Sequence, residues 1–258
     1  MCTLETFNID RKKALTAFKD YISKYDLNNI NITLKIAHTY RVAALSERIA
    51  GNNCVDLAWL LGLLHDIGRF EQVTKYGTFK DSLSVDHAEF GADILFNDGL
   101  IKNFLSENFL NSNELMQLIE TAVRLHNKFR LPENLCEPTL TYTKILRDSD
   151  KLDIFRVITE PPYNYDDKRD LDGLTVRDEV IQSVIEHRCV PRPENANQFN
   201  ELEMLISQCC MAFELEFKES RKIAIEQGYL RKILNQDNEF LIMLRSEIAK
   251  AWSKTLIC

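Results

Sequence analysis

Four of the five histidines in this chain, His38, His65, His87 and His126, fall on inward or terminal positions of different predicted helices, and two carboxylates, Asp66 and Asp150, share that property. Neutral imidazoles plus carboxylates suit a divalent transition metal, with iron, manganese, nickel and zinc all chemically reasonable. The densest stretch is LAWLLGLLHDIGRF over 57–70, where an apolar run ends in the adjacent pair His65-Asp66. An imidazole and a carboxylate at the inner end of a buried helix are costly unless paired or bound to a metal. Neighbouring helical residues point about 100° apart, so one cation near the helix end engages both side chains more readily than an organic ligand does. Taken alone, the pair has another explanation: a histidine favoured by the helix dipole and an aspartate capping the next segment. The fifth histidine, His187, sits in the polar context EHRCVPRP and reads as a surface residue.

The elements that must position these groups are helical throughout. Leu15, Phe18, Tyr21 and Ile22 give a packing helix over 10–24, and Ile36, Val42, Leu45 and Ile49 mark one side of a helix over 32–50, with His38 on the same stripe and Gly51 closing it. In the run 57–64 only Gly62 is not strongly apolar, with Asp56 placed as N-cap and Gly68 as the stop of a helix buried on all sides. Residues 71–83 read as an irregular loop long enough to cover a site. Ser84 or Asp86 then caps a helix whose inward stripe is His87, Phe90, Gly91, Ile94 and Leu95, and Ser112 or Asn113 caps another that ends at Leu125 and His126. A long helix over 139–158 carries Asp148, Asp150 and Asp153 in its middle, where aspartate has poor propensity. A salt-bridged outer face accounts for Asp148, whereas Asp150 falls among apolar neighbours. Residues 160–174, with Pro161-Pro162, form a linker or flap. An apolar helix over 200–227, a short one at 229–234 and a terminal helix over 239–256 complete the chain, and their alternating apolar faces imply packing on the core or an oligomer contact.

With 258 residues, 45% of them hydrophobic, the chain can bury a substantial core, and one domain with an extension is expected. A net charge of -7 argues against an extended nucleic-acid surface, while leaving room for a local basic pocket that binds phosphate. Seven cysteines without a CxxC spacing indicate reduced thiols rather than a disulfide framework or zinc knuckle. The start MCTLETFNIDRKKAL lacks an apolar signal core, and no run approaches the ~20 apolar residues that span a bilayer. A cytoplasmic protein with no membrane partner is the expectation.

On these residues the chain resembles the HD-domain superfamily, whose pattern is a His, then a His-Asp pair, then a distant Asp, all on helices around a metal ion. The match runs from about 31 to 158: His38 in AHTYRVAALSERIA, the pair in LLHDIGRF, His87 in SVDHAEFGADIL, His126 in AVRLHNKF and Asp150 in LRDSDKLD. The resemblance implies an all-α fold, with an N-terminal packing helix over 1–30, a metal-binding core over 31–160 and a helical C-terminal extension over 161–258 that packs on that core or joins a second copy. It implies that His38, His65, Asp66 and Asp150 hold one ion, and that His87 and His126 either hold a second or line the phosphate site, for one or two ions in all. Asp66 is expected to act catalytically as ligand and proton acceptor, Arg69 and Lys151 as catalytic cations, and Arg69, Lys128, Arg130 and Lys151 as receivers of phosphate. Asp153 would orient a ligand or water. The implied activity is that of a metal-dependent phosphohydrolase acting on a small phosphorylated substrate, a nucleotide foremost. The Ile-Gly-Arg-Phe that follows the pair, and the lack of adjacent histidines, depart from members that cleave cyclic dinucleotides. Two alternatives share the same residues: a di-iron oxygenase similar to myo-inositol oxygenase, and a non-catalytic binding module stabilised by its metal.

Overall fold

The computed structural model describes residues 8–160, 171, 173–191 and 199–256, with side chains to 253, and among these every regular element is helical. The chain divides into two compact units, Met1–Asp150 and Lys151–Cys258. The first contains α1 (Arg11–Ile22), α2 (Ile30–Ala50), α3 (Val55–Leu64), α4 (Ile67–Tyr76), α5 (His87–Ala92), α6 (Ile101–Phe104), α7 (Glu107–Leu110) and α8 (Asn113–Leu125), and α9 (Thr139–Val157) carries the boundary.

The first unit is built around α3. All residues from Leu57 to Leu64 are buried, as a helix with no polar stripe requires, and α1, α2 and α8 pack around it. The closest of these contacts depends on Gly62, where a Cβ would lie 2.5 Å from the Cα of Ala43. The missing side chain lets α2 and α3 touch backbone to backbone. A hydroxyl pair, Ser46 to Ser149 at 2.9 Å, joins α2 to α9.

Two local expectations change. Gly68 does not stop α3, which ends at Leu64; it lies inside α4, where a Cβ would meet the His87 carbonyl oxygen at 2.4 Å and the Gly91 nitrogen at 2.7 Å. Close approach of α5, not chain termination, calls for glycine there. Residues 71–83 are not one irregular loop either, because Ile67, Phe70 and Val73 continue an apolar helical stripe and α4 runs to Tyr76, followed by a left-handed Gly77 and a single 3-10 turn, Asp81–Leu83. Likewise Asp56 is not the cap of α3: Cys54 holds that position without a side-chain capping bond, and Asp56 pairs with Arg11 at 2.6 Å. The capping aspartate of α5 is Asp86, which accepts from the Ala88 and Glu89 amides, and Ser112 caps α8. Arg124 then ties α8 to the α5 segment through Glu89 at 2.8 Å and Asp93 at 2.9 Å.

The second unit continues with α10 (Asp178–Ile185), α11 (Glu201–Cys209), α12 (Lys218–Gln227), α13 (Tyr229–Leu234) and α14 (Glu239–Leu256). Asn200 and Glu203 form a capping box at the start of α11. The expected continuous helix over 200–227 is interrupted by a 3-10 turn, Cys210–Glu214. Side chains take the carbonyls at this break: Trp252 Nε1 donates to Ala212 at 3.1 Å and Arg221 Nη2 to Leu215 at 2.6 Å. Of the expected linker or flap, 161–170 and 172 lie outside the described residues. No helix among the described residues is long and apolar enough to cross a membrane.

Helix propensity alone would favour Gly62→Ala by about 1 kcal/mol. The contact with Ala43 reverses that sign, and urea unfolding of Gly62→Ala is expected to show a net loss of about 1–3 kcal/mol, the usual cost of overpacking. Unchanged or increased stability would contradict the close contact of α2 with α3.

Candidate metal centre

Five elements bring six donors together in the first unit. His38 lies in the middle of α2, His65 and Asp66 form the turn between α3 and α4, His87 opens α5, His126 follows the last residue of α8, and Asp150 belongs to α9. The four imidazoles and Asp66 are all buried, Asp66 with 2% exposure, while the Asp150 side chain retains 18%.

Asp66 sorts the donors into two groups by its two oxygens. Oδ2 lies 3.4 Å from His38 Nε2 and 3.3 Å from His65 Nε2. Asp150 Oδ1 completes that group, 3.2 Å from His38 Nε2 and 3.8 Å from His65 Nε2. The other oxygen, Oδ1, faces His87 Nε2 at 3.5 Å and His126 Nε2 at 4.0 Å. Those two nitrogens are 3.1 Å apart.

The protons of three rings follow from their outer nitrogens. His65 Nδ1 is 2.8 Å from the Gly62 carbonyl and His126 Nδ1 is 2.7 Å from that of Val123, and a carbonyl can only accept. His87 Nδ1 donates to Asp81 Oδ2 at 2.6 Å. Each inward Nε2 is therefore a lone pair. Burial, reinforced by the neighbouring His87 and His65, pushes His126 down to about 3, and burial with the nearby Arg69 also lowers His87 despite Asp81. Both rings stay neutral. The carboxylates remain charged: burial would raise Asp66, but the Lys35 ammonium holds it well below the ordinary range. Burial opposes ionisation of Asp150 as well, and its bond from His38 outweighs that.

Facing lone pairs at such distances repel unless a cation lies among them. Bonds of about 2.1 Å to a common ion place adjacent donors roughly 3.0–3.4 Å apart, close to the separations found here. The donor chemistry thus fits divalent ions, with Asp66 able to serve two at once. Sets of ligating atoms within 4.8 Å of one another include His38, His65 and Asp150, and His65, Asp66 and His126. A further set, Asp81, Asp86 and His87, is accounted for by hydrogen bonding, since Asp81 binds His87 and Asn127 Nδ2 donates to Asp86 at 2.8 Å.

The supporting contacts are specific. Asp81 accepts from Arg69 Nη1 at 2.8 Å and from Gln72 Nε2 at 3.0 Å. Arg147 Nη1 donates to the carbonyls of Leu125 and His126, both at 3.1 Å, and of Lys128 at 2.5 Å, closing the C-terminal end of α8. Tyr21 donates its hydroxyl to the Ile67 carbonyl at 3.0 Å, and burial, which pushes that hydroxyl up to about 12, keeps it protonated.

Of the four cations expected at the phosphate, the structure places Arg69 at the centre, its Nε 3.6 Å from Asp66 Oδ1. The others have different partners. Lys128 pairs with Asp86 at 2.7 Å and Glu89 at 3.0 Å, Arg130 is exposed over the Phe129 ring, and Lys151, in the second unit, pairs with Glu214 at 3.4 Å. Asp153 is buried in that unit. Asp148 is not on a solvated outer face: residues 145, 146, 148, 149 and 152 of α9 are all buried, so the helix is enclosed on more than one side. His187, in the second unit, is half-buried, pairs with Glu247 at 2.8 Å and stacks on Phe213. Three residues at the centre escaped the sequence reading: Lys35, Asp81 and Arg147. Lys35 and Arg147 stand three residues before His38 and Asp150, a spacing that makes them helical neighbours and could have revealed them. Asp81 gives no periodic signal.

Comparison with family models matches residues 36–154 to the family described as HD domain, a span that opens just before His38 and closes just after Asp150. Comparisons with curated proteins and with solved structures find no match.

Because Asp81 fixes the His87 ring, Asp81→Ala is expected to weaken manganese binding about 10–100-fold, the usual effect of removing a group that orients a ligand, with the helical circular dichroism retained. Calorimetric titration checks this, and undiminished affinity would contradict the role given to Asp81.

Proposed function

Because residues 36–154 belong to the HD-domain superfamily, we propose that the chain is a metal-dependent phosphohydrolase cleaving a small phosphate ester, with nucleotides the foremost substrate class. The observation that carries the reading is a fixed cation beside a metal-type donor cluster: Arg69 next to Asp66, with the imidazole nitrogens of four histidines turned toward the same carboxylate. His38, His65, Asp66 and Asp150 would hold one divalent ion, and His87, His126 and the other oxygen of Asp66 a second. When bound, such ions lower the pKa of water and neutralise charge on a phosphoryl group.

The chain's own residues account for the rest. Asp66 and Asp150 are held ionised, so they present anionic oxygens at neutral pH. Asp81, Gly62 and Val123 keep the protons of three histidines on their outer nitrogens. Arg69 commits Nη1 to Asp81, Gln72 and the Phe79 carbonyl, which fixes its fork in place and leaves Nη2 to receive a phosphate oxygen.

A second reading is supported by one observation: His87 and His126 form a histidine pair on the second oxygen of Asp66, as a di-iron oxygenase would need. Oxygen consumption by the iron-loaded protein with a polyol or phosphonate distinguishes it. Arg69, suited to an oxyanion, favours hydrolysis.

The test is phosphate release from a panel of nucleotides and sugar phosphates with manganese, iron, nickel or zinc added back. His65→Ala should abolish turnover while the protein stays folded. Arg69→Met should raise KM about tenfold or more, in line with ~1.5–3 kcal/mol for a charge-assisted hydrogen bond. Undiminished turnover in His65→Ala would overturn the assignment.

A further inference from the structure

Lys35 is the charged group at the centre that the ligand set leaves unexplained. It lies on α2 three residues before His38, its side chain is 15% exposed, and its Nζ is 2.5 Å from Asp66 Oδ2. That is the oxygen faced by His38 Nε2 at 3.4 Å and His65 Nε2 at 3.3 Å. An ammonium and a cation held by His38, His65 and Asp150 would therefore draw on the lone pairs of one oxygen. They would also repel each other across a few ångströms of buried space, where charge interactions are weakly screened.

Arg69 makes the matching approach on the opposite oxygen, with Nε 3.6 Å from Oδ1. Both cations also reach the same aromatic ring, Lys35 Nζ lying 5.5 Å and the Arg69 guanidinium carbon 5.7 Å from the Phe79 centroid. Two cations thus flank the two oxygens of one carboxylate and lie against one ring. A lysine whose only task was to neutralise Asp66 would need no such partner.

We propose that Lys35 is a phosphate-binding residue that forms a two-cation clamp with Arg69, and that its ammonium holds down the affinity of the adjacent ion position by sharing Asp66 Oδ2. The assignment rests on the phosphohydrolase reading. It carries a signature that a structural salt bridge lacks, because the two affinities move in opposite directions when the charge is removed. Without the ammonium, Asp66 offers its full charge to the ion and the phosphate loses a partner. A purely structural bridge, once broken, would loosen the cluster and weaken both.

The experiment uses the full chain as wild type, Lys35→Met and Lys35→Arg, with folding checked by circular dichroism. The manganese dissociation constant is measured by calorimetry without phosphate, and the dissociation constant of inorganic phosphate is measured on the manganese-loaded protein. Lys35→Met should bind manganese about tenfold more tightly, the scale on which groups touching a metal ligand act. It should bind phosphate about tenfold more weakly, as loss of a charge-assisted hydrogen bond predicts, and Lys35→Arg should restore phosphate binding. If Lys35→Met does not fold, Lys35→Gln removes the charge while keeping a polar tip and reads the same two constants. An unchanged phosphate constant, or weaker manganese binding, overturns the proposal. A wild type that binds no divalent ion overturns the hydrolase reading with it, whereas a wild type that binds and hydrolyses beside an unaltered Lys35→Met overturns the Lys35 assignment alone.

Discussion

Asp66 is a charged carboxylate with 2% exposure, and leaving such a group without partners would cost several kcal/mol. The first unit is arranged around meeting that demand. Lys35 from α2 and Arg69 from α4 approach its two oxygens, and four imidazoles from α2, α3, α5 and α8 surround them. No single helix could supply these partners, because residues of one helix within reach of its end are too few and point apart. The helices must converge, and the apolar run of α3 provides the place. Gly62 and Gly68 then let α2 and α5 come close enough for their histidines to arrive.

Orientation of the rings uses the ends of helices. A helix leaves its last carbonyls without backbone partners, and His65 and His126, each just past the end of a helix, answer in the same way. Each Nδ1 donates to the carbonyl three residues back, Gly62 or Val123, which turns Nε2 inward. The helix-end role and the ligand role are therefore two faces of one arrangement rather than competing explanations. His87 begins a helix instead, where no such carbonyl exists, and Asp81 takes that part. Arg147 completes the set by binding the carbonyls around His126.

The all-helical architecture, the enclosed α3 and the inward stripes of α2, α5 and α8 were legible because apolar spacing reports burial directly. The same spacing brought His38, His65, His87 and His126 to one place, and the mid-helix aspartate at 150 stood out against its apolar neighbours. What periodicity could not convey was contact across the chain. Asp81 lies in a 3-10 turn with no repeating pattern, and its pairing with His87 depends on how the 77–86 segment folds back. Gly68 was misread for a related reason: a glycine after a helix signals a stop, whereas one pressed against the backbone of α5 signals close packing, and the sequence looks the same in both cases. Asp148 was assigned to solvent because an amphipathic helix has an outer face, but α9 is enclosed on several sides. The cations were least legible. Lys128 and Arg130 follow His126 directly, yet carboxylates on the α5 segment and an exposed aromatic ring hold them elsewhere, while Lys35 was overlooked on the face of α2 that matters.

On the proposed reading, His38, His65, Asp66 and Asp150 would hold one ion, and His87 and His126 with Asp66 a second. Elemental analysis of metal content per chain, on wild type and His126→Ala purified without chelator under low oxygen, tests it most directly. Two ions per wild-type chain and one in the folded variant are expected, because only the group on Oδ1 loses a donor. A single ion in the wild type that persists undiminished in His126→Ala would contradict that reading.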